Sequence, residues 1–77
     1  VQKDDRTLVG EVRNGSHKAY EQLMERYQSQ VYRLAYSYAR NKEQALDITQ
    51  NVFIKAYEHL HKFRGDSQFK TWLLRIT

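Results

Sequence analysis

The chain has 77 residues and a formal net charge of +4, with neither cysteine nor proline. A chain this short buries only about 60% of the surface its unfolded form exposes, so it is one small domain with a thin stability margin. The missing cysteines exclude disulfides and thiolate metal sites and suit a reducing cytoplasm, and no apolar run nears the roughly 20 residues that cross a bilayer. Hydrophobic residues at 40% and charged residues at 29% fit a globular domain rather than a disordered tail.

Four helical segments follow in chain order, giving an all-α bundle. Leu8, Val9 and Val12 form a one-sided stripe, with Asp4 or Asp5 placed to accept the first free amides. Gly10 weakens that helix by about 1 kcal/mol relative to Ala. Asn14-Gly15 stops it, because glycine takes the left-handed conformation without steric cost. Ser16 caps a second helix, in which Tyr20, Leu23, Met24, Tyr27, Val31, Leu34, Ala35 and Tyr38 recur at spacings of three and four. The tyrosine-rich stripe reads as core and runs to about Arg40, with Gln28-Ser29-Gln30 as the place where a kink could fall.

Asn41 and Gln44 resemble a capping box that opens a third helix, from Lys42 to about His61. Ala45, Thr49, Val52, Phe53, Ala56 and Leu60 centre on one face, flanked by Leu46 and Tyr57. Asp47, Gln50, Asn51, Ile54 and Glu58 centre on the other. A loop over residues 61–68 breaks the period. Asp66 or Ser67 then caps a fourth helix bearing Phe69, Trp72, Leu73 and Ile76. That pattern still runs at Thr77, so the chain reads as a fragment of a longer protein.

Charge is unevenly placed. Residues 1–60 hold nine Lys/Arg against eight Asp/Glu, whereas the last 17 hold Lys62, Arg64, Lys70 and Arg75 against Asp66 alone. These cations interleave with Phe63, Phe69 and Trp72, and His59 and His61 lie nearby. Phosphates need cations and bases need stacking surfaces, so the segment suits a nucleic-acid strand; a solvated helix end over an aromatic core is the plainer alternative.

Enzymatic readings fail, for no Gly-rich phosphate loop, HExxH or nucleophile elbow is present. His59 and His61 would point about 200° apart on a helix, too far to chelate one metal. No cofactor is implied. Ile54, apolar among hydrogen-bonding neighbours, suits a docking face for a partner helix, although single exposed apolar residues are also ordinary. Phe63 and Arg64 before Gly65 could receive an unstacked base. Equally, the Phe63 ring could plug the bundle while the backbone and polar groups around it form the pocket.

Three segments together carry a family resemblance: Asp47-Ile48-Thr49-Gln50-Asn51-Val52-Phe53-Ile54-Lys55-Ala56-Tyr57, Phe63-Arg64-Gly65-Asp66-Ser67, and Phe69-Lys70-Thr71-Trp72-Leu73-Leu74-Arg75-Ile76. They resemble region 2 of bacterial sigma factors, most closely the extracytoplasmic-function (ECF) class, and the likeness extends over essentially the whole chain. It implies an initiation subunit, cytoplasmic and without catalytic chemistry, that gives RNA polymerase its promoter choice. The polar face of the third helix would dock on the β′ clamp helices through Asp47, Gln50, Asn51 and Ile54. The family usually has an acidic residue where this chain has Asn51, which should weaken an ion pair there while keeping a hydrogen bond.

The same resemblance assigns His61, Lys62, Phe63, Arg64, Ser67, Lys70, Thr71 and Arg75 to the −10 promoter element and its non-template strand. The loop would take a flipped base, and the fourth helix would reach phosphates and base edges. Trp72 and Phe69 fit core packing better. Fewer aromatics than primary sigma factors carry here imply weaker melting and stricter promoter demands. An anti-sigma factor is the further expected partner. A helical protein-binding regulator without DNA readout is the alternative, in which Ile54 matters and the Lys70/Arg75 edge does not.

Overall fold

The computed structural model describes residues 3–65 and 67–77. Its elements are α1 (Asp5–Arg13), α2 (His17–Ala39), α3 (Lys42–His59), a 3-10 turn (Leu60–Lys62) and α4 (Phe69–Ile76). The all-α bundle expected from the periodicities is the architecture observed. At 1.5 Å per residue the 23 residues of α2 run about 35 Å. That matches the longest dimension of the molecule, 36 Å. α2 is therefore the spine against which the other helices lie.

Local chemistry sets the helix ends. Asp4 is the first cap, accepting from the Thr7 amide, and that bond holds its carboxyl below the usual range. Gly15 adopts φ +97°, the left-handed geometry that reverses the chain after α1. Ser16 accepts from the Ala19 amide and Asn41 from the Gln44 amide, so α2 and α3 each open on a side-chain cap. Between them Arg40 turns the chain with φ 54°. α2 continues unbroken through Gln28-Ser29-Gln30.

The core gathers Leu8, Val9 and Val12 of α1, Leu23 and Val31 of α2, Val52, Phe53 and Ala56 of α3, and Phe69 and Leu73 of α4. Tyr20 is buried among them and donates its hydroxyl to the Phe53 carbonyl, so its polar end is satisfied where water is excluded. A second brace ties α1 to α2. Arg26 donates to the Asp5 carboxylate at 2.7 Å and to the Lys3 carbonyl at 2.8 Å, and the Tyr27 hydroxyl donates to the same carboxylate. Burial, aided by that acidic acceptor, pushes the Tyr27 phenol up to about 12.

Several expectations need correction. Tyr38 lies on the apolar stripe of α2 yet is 67% exposed. The polar contacts from α1 and the ring contact from α4 reach α2 at Arg26 and Tyr27, about three turns earlier. Periodicity gave the angle of Tyr38 on the helix, and nothing in that angle supplies a neighbour at its height. Leu46 and Tyr57, on the flanks of the α3 stripe, are also exposed. α3 ends at His59 rather than His61, because the tighter 3-10 turn takes over at Leu60. Ser67 does not cap α4; Gln68 occupies that position without a side-chain bond, and Asp66 lies outside the described residues.

Candidate functional site

Two separate surfaces present the residues singled out from the sequence. The first is the outer face of α3. Ala45, Thr49, Val52, Phe53 and Ala56 are buried, which turns Asp47, Gln50, Asn51 and Ile54 outward. Ile54 is 58% exposed among polar neighbours. It borders a groove of about 590 Å³ between α2 and α3, floored by Phe53 and walled by Met24, Gln50, Ile54 and Tyr57. Asp47 and Asn51 stand on the same face outside the groove.

The groove has a stiff edge. Tyr57 packs edge-on to Tyr20 with centroids 5.0 Å apart, and its hydroxyl meets His17 Nδ1 at 3.3 Å. Sequence reasoning missed the α2 wall, where Glu21 and Gln28 join Met24. Met24 carried the only available signal, because its place at the margin of the α2 stripe leaves it half-buried. An apolar floor with amide and carboxylate rims can take a helix that offers apolar side chains among basic and hydrogen-bonding ones.

The second surface is the loop after α3 together with α4. Phe63 is only 8% exposed and packs edge-on to Phe69 at 6.1 Å and tilted to Trp72 at 5.2 Å. The ring is thus the plug of the bundle and offers no open stacking face, while its backbone remains in the loop. Around this knot His61, Lys62, Arg64, Lys70, Thr71 and Arg75 are exposed and Ser67 is half-buried. Gly65 has φ +80°, a geometry that favours glycine and lets the chain turn sharply beside Arg64. Among the described residues, the loop's backbone hydrogen bonds lie at its ends, Phe63 N–H to the Leu60 carbonyl and Trp72 N–H to the Gln68 carbonyl. Among the described residues no further backbone–backbone bond falls between those ends.

These eight positions do not form one patch. Phe63, Arg64, Ser67 and Lys70 line a cleft of about 1300 Å³. His61 shares a smaller hollow of about 680 Å³ with Phe63 and Arg64. Thr71 and Arg75 stand 40° apart on α4, whereas Lys70 lies about 100° from Thr71 on the cleft side. Lys62 is exposed outside both hollows. Sequence reasoning also missed the opposite wall of the cleft, which α1 supplies through Arg6, Gly10 and Arg13. In the charge count those arginines vanished into a nearly neutral body.

Comparison with known proteins bears on this arrangement. Residues 23–77 match the family Sigma-70 region 2, a span that includes both surfaces but not α1. The chain is 41% identical over 76 residues to the RNA polymerase sigma-H factor of Pseudomonas aeruginosa, covering 99% of this chain and 39% of that protein. It is 45% identical over 75 residues to the ECF RNA polymerase sigma-E factor of Escherichia coli K12, covering 97% and 39%. The sigma-E factor of Salmonella typhimurium LT2 matches to the same extent. The chain thus spans about two fifths of the length of these curated relatives. Its four-helix bundle, its loop and its matched sequence place it in the sigma-70 region 2 family, as a transcription-initiation sigma factor domain of the ECF class.

Proposed function

We propose that this domain joins core RNA polymerase to a promoter, docking on the β′ clamp helices through α3 and holding the −10 non-template strand with the loop and α4. The observation that carries the reading is the separation of two unlike surfaces on one core. One is an amide-and-carboxylate face on which Ile54 is exposed beside a groove; the other is a cationic loop whose backbone bonds, among the described residues, lie at its ends. Asp47, Gln50, Asn51 and Ile54 contact the clamp. Asn51 contributes a hydrogen bond where an acidic side chain would add an ion pair.

On the DNA side no covalent step is needed. Phosphate neutralisation by Lys62, Arg64, Lys70 and Arg75, with a loop pocket for one extruded base, offsets an unstacking cost of a few kcal/mol. His61, Ser67 and Thr71 supply hydrogen-bonding groups, and Phe63 contributes backbone rather than a ring. Four phosphate contacts give a log–log salt slope of about −3 for single-strand affinity. The same α3 face is also where an anti-sigma factor would compete with polymerase.

Two measurements test this. Ile54→Asp should abolish capture of a β′ clamp-helix fragment and leave the melting temperature nearly unchanged, since exposed substitutions usually stay within about 0.5 kcal/mol. Undiminished capture removes α3 as the docking face. Fluorescence anisotropy should show a −10 non-template oligonucleotide bound more tightly than template-strand, random or duplex DNA, with Lys70→Ala lowering the salt slope by about 0.7. Equal binding of all four DNAs removes the extruded-base reading.

A further inference from the structure

The large cleft has two walls, and only one belongs to the surface just described. Arg64, Ser67 and Lys70 form the first; Arg6, Gly10 and Arg13 of α1 form the second. The α1 residues fall at i, i+4 and i+7, so they share one face of the helix within about 60°. Two guanidiniums therefore flank a bare stretch of backbone at Gly10.

That glycine is informative. It sits mid-helix, where it costs about 1 kcal/mol relative to Ala. Added at Gly10, a Cβ would meet nothing within 4 Å, and its φ is not in the left-handed region. Neither packing nor backbone geometry requires it, whereas close approach of a bound chain would.

The charges in the cleft are also sorted. Asp4 and Asp5 line it, but the Asp4 carboxylate is turned to the Thr7 amide and Asp5 is held by Arg26 and Tyr27. Among the described residues, Arg6, Arg13, Arg64 and Lys70 have no carboxylate partner. Arg13 has one backbone contact, to the Leu60 carbonyl at 3.5 Å. Among the described residues the two acids are thus engaged by α1 and α2 groups, and cations without a carboxylate partner stand on both walls of the cleft. Its volume of about 1300 Å³ exceeds the about 300–1,000 Å³ usual for small-ligand pockets, which favours a polymer. It is also continuous with the loop, because Phe63 and Arg64 line both this cleft and the hollow beside His61.

We infer that α1 is the far wall of the strand path: Arg6 and Arg13 grip the phosphates next to the extruded base, and Gly10 lets the sugar–phosphate backbone lie against the helix. The inference rests on the strand-binding reading above, and it places a binding wall in residues that precede the family match. The Asp5–Arg26–Tyr27 brace keeps that wall in place.

The test is a salt titration of the 77-residue chain against fluorescein-labelled single-stranded oligonucleotides by anisotropy. Arg6→Gln combined with Arg13→Gln should lower the salt slope by about 1.4, and Arg6→Gln alone by about 0.7. The single variant keeps the Arg13 contact to Leu60, so a folding defect in the double variant leaves a clean reading. Gly10→Leu should raise the melting temperature, because leucine is the better helix former, and yet weaken oligonucleotide binding several-fold. Wild-type binding with an unchanged slope in both arginine variants, or full affinity in Gly10→Leu, overturns the second wall and leaves the loop reading standing. No single-strand binding by the wild type overturns both. Displacement of the oligonucleotide by a polyglutamate peptide that binds with equal affinity and the same dependence on Arg6 and Arg13 makes the cleft an acidic-peptide site and also overturns the proposal.

Discussion

α3 and the loop that follows it both present polar groups to solvent, but they are held in place by opposite means. α3 satisfies its backbone internally, opens on the Asn41 cap and buries five side chains beneath its outer face. Asp47, Gln50 and Asn51 are therefore exposed on a backbone that needs nothing from them. In the loop the backbone bonds of the described residues lie at its ends, and the Phe63–Phe69–Trp72 ring cluster packs below. A docking face needs positioned side chains on a backbone that does not move. A pocket for an extruded base needs open backbone groups on a fixed floor. On the proposed reading the same short sequence supplies both, in consecutive elements.

Removing the ring cluster is the severest way to break that contrast. Phe63→Ala should cost about 3–5 kcal/mol, a large share of the on the order of 4–12 kcal/mol available to a domain this size. Urea unfolding measures it, and a loss below 1 kcal/mol would mean that the loop is not held from beneath. Asn41→Ala attacks the other side and should cost about 1 kcal/mol in thermal melts, because the Gln44 amide loses its acceptor. Oligonucleotide affinity should keep its salt slope in that variant; a changed slope would show the two surfaces to be coupled through α3.

The smallest effect concerns the brace beneath the α1 wall. The Tyr27 phenol is raised from 10.0 to about 12 by burial, with the Asp5 carboxylate adding to the rise. A raised pKa means that the neutral form is favoured in the fold, so this contribution is whole below pH 10 and is lost as pH climbs through about 12. Tyr27→Phe should flatten that alkaline loss without abolishing it, because burial also raises Tyr20. Melting temperature against pH checks the sign: an unaltered alkaline limb would place the loss elsewhere.

The sequence by itself determined the helices, most of their caps and the sidedness of α3. Periods of three and four fix which side chains share a face, and Asp4, Ser16 and Asn41 act within three residues of the amides they cap. Ile54 could be picked out as exposed for that reason. Tertiary structure alone decided what lies opposite each face. It left Tyr38 uncovered, sank the Phe63 ring beneath the loop, and set Arg6 and Arg13 across a cleft from Arg64. Those outcomes depend on contacts between residues far apart in the chain, which no local spacing encodes. The concentration of charge near the C-terminus was real, but the charge count could not show that an apparently neutral first helix turns its arginines toward it.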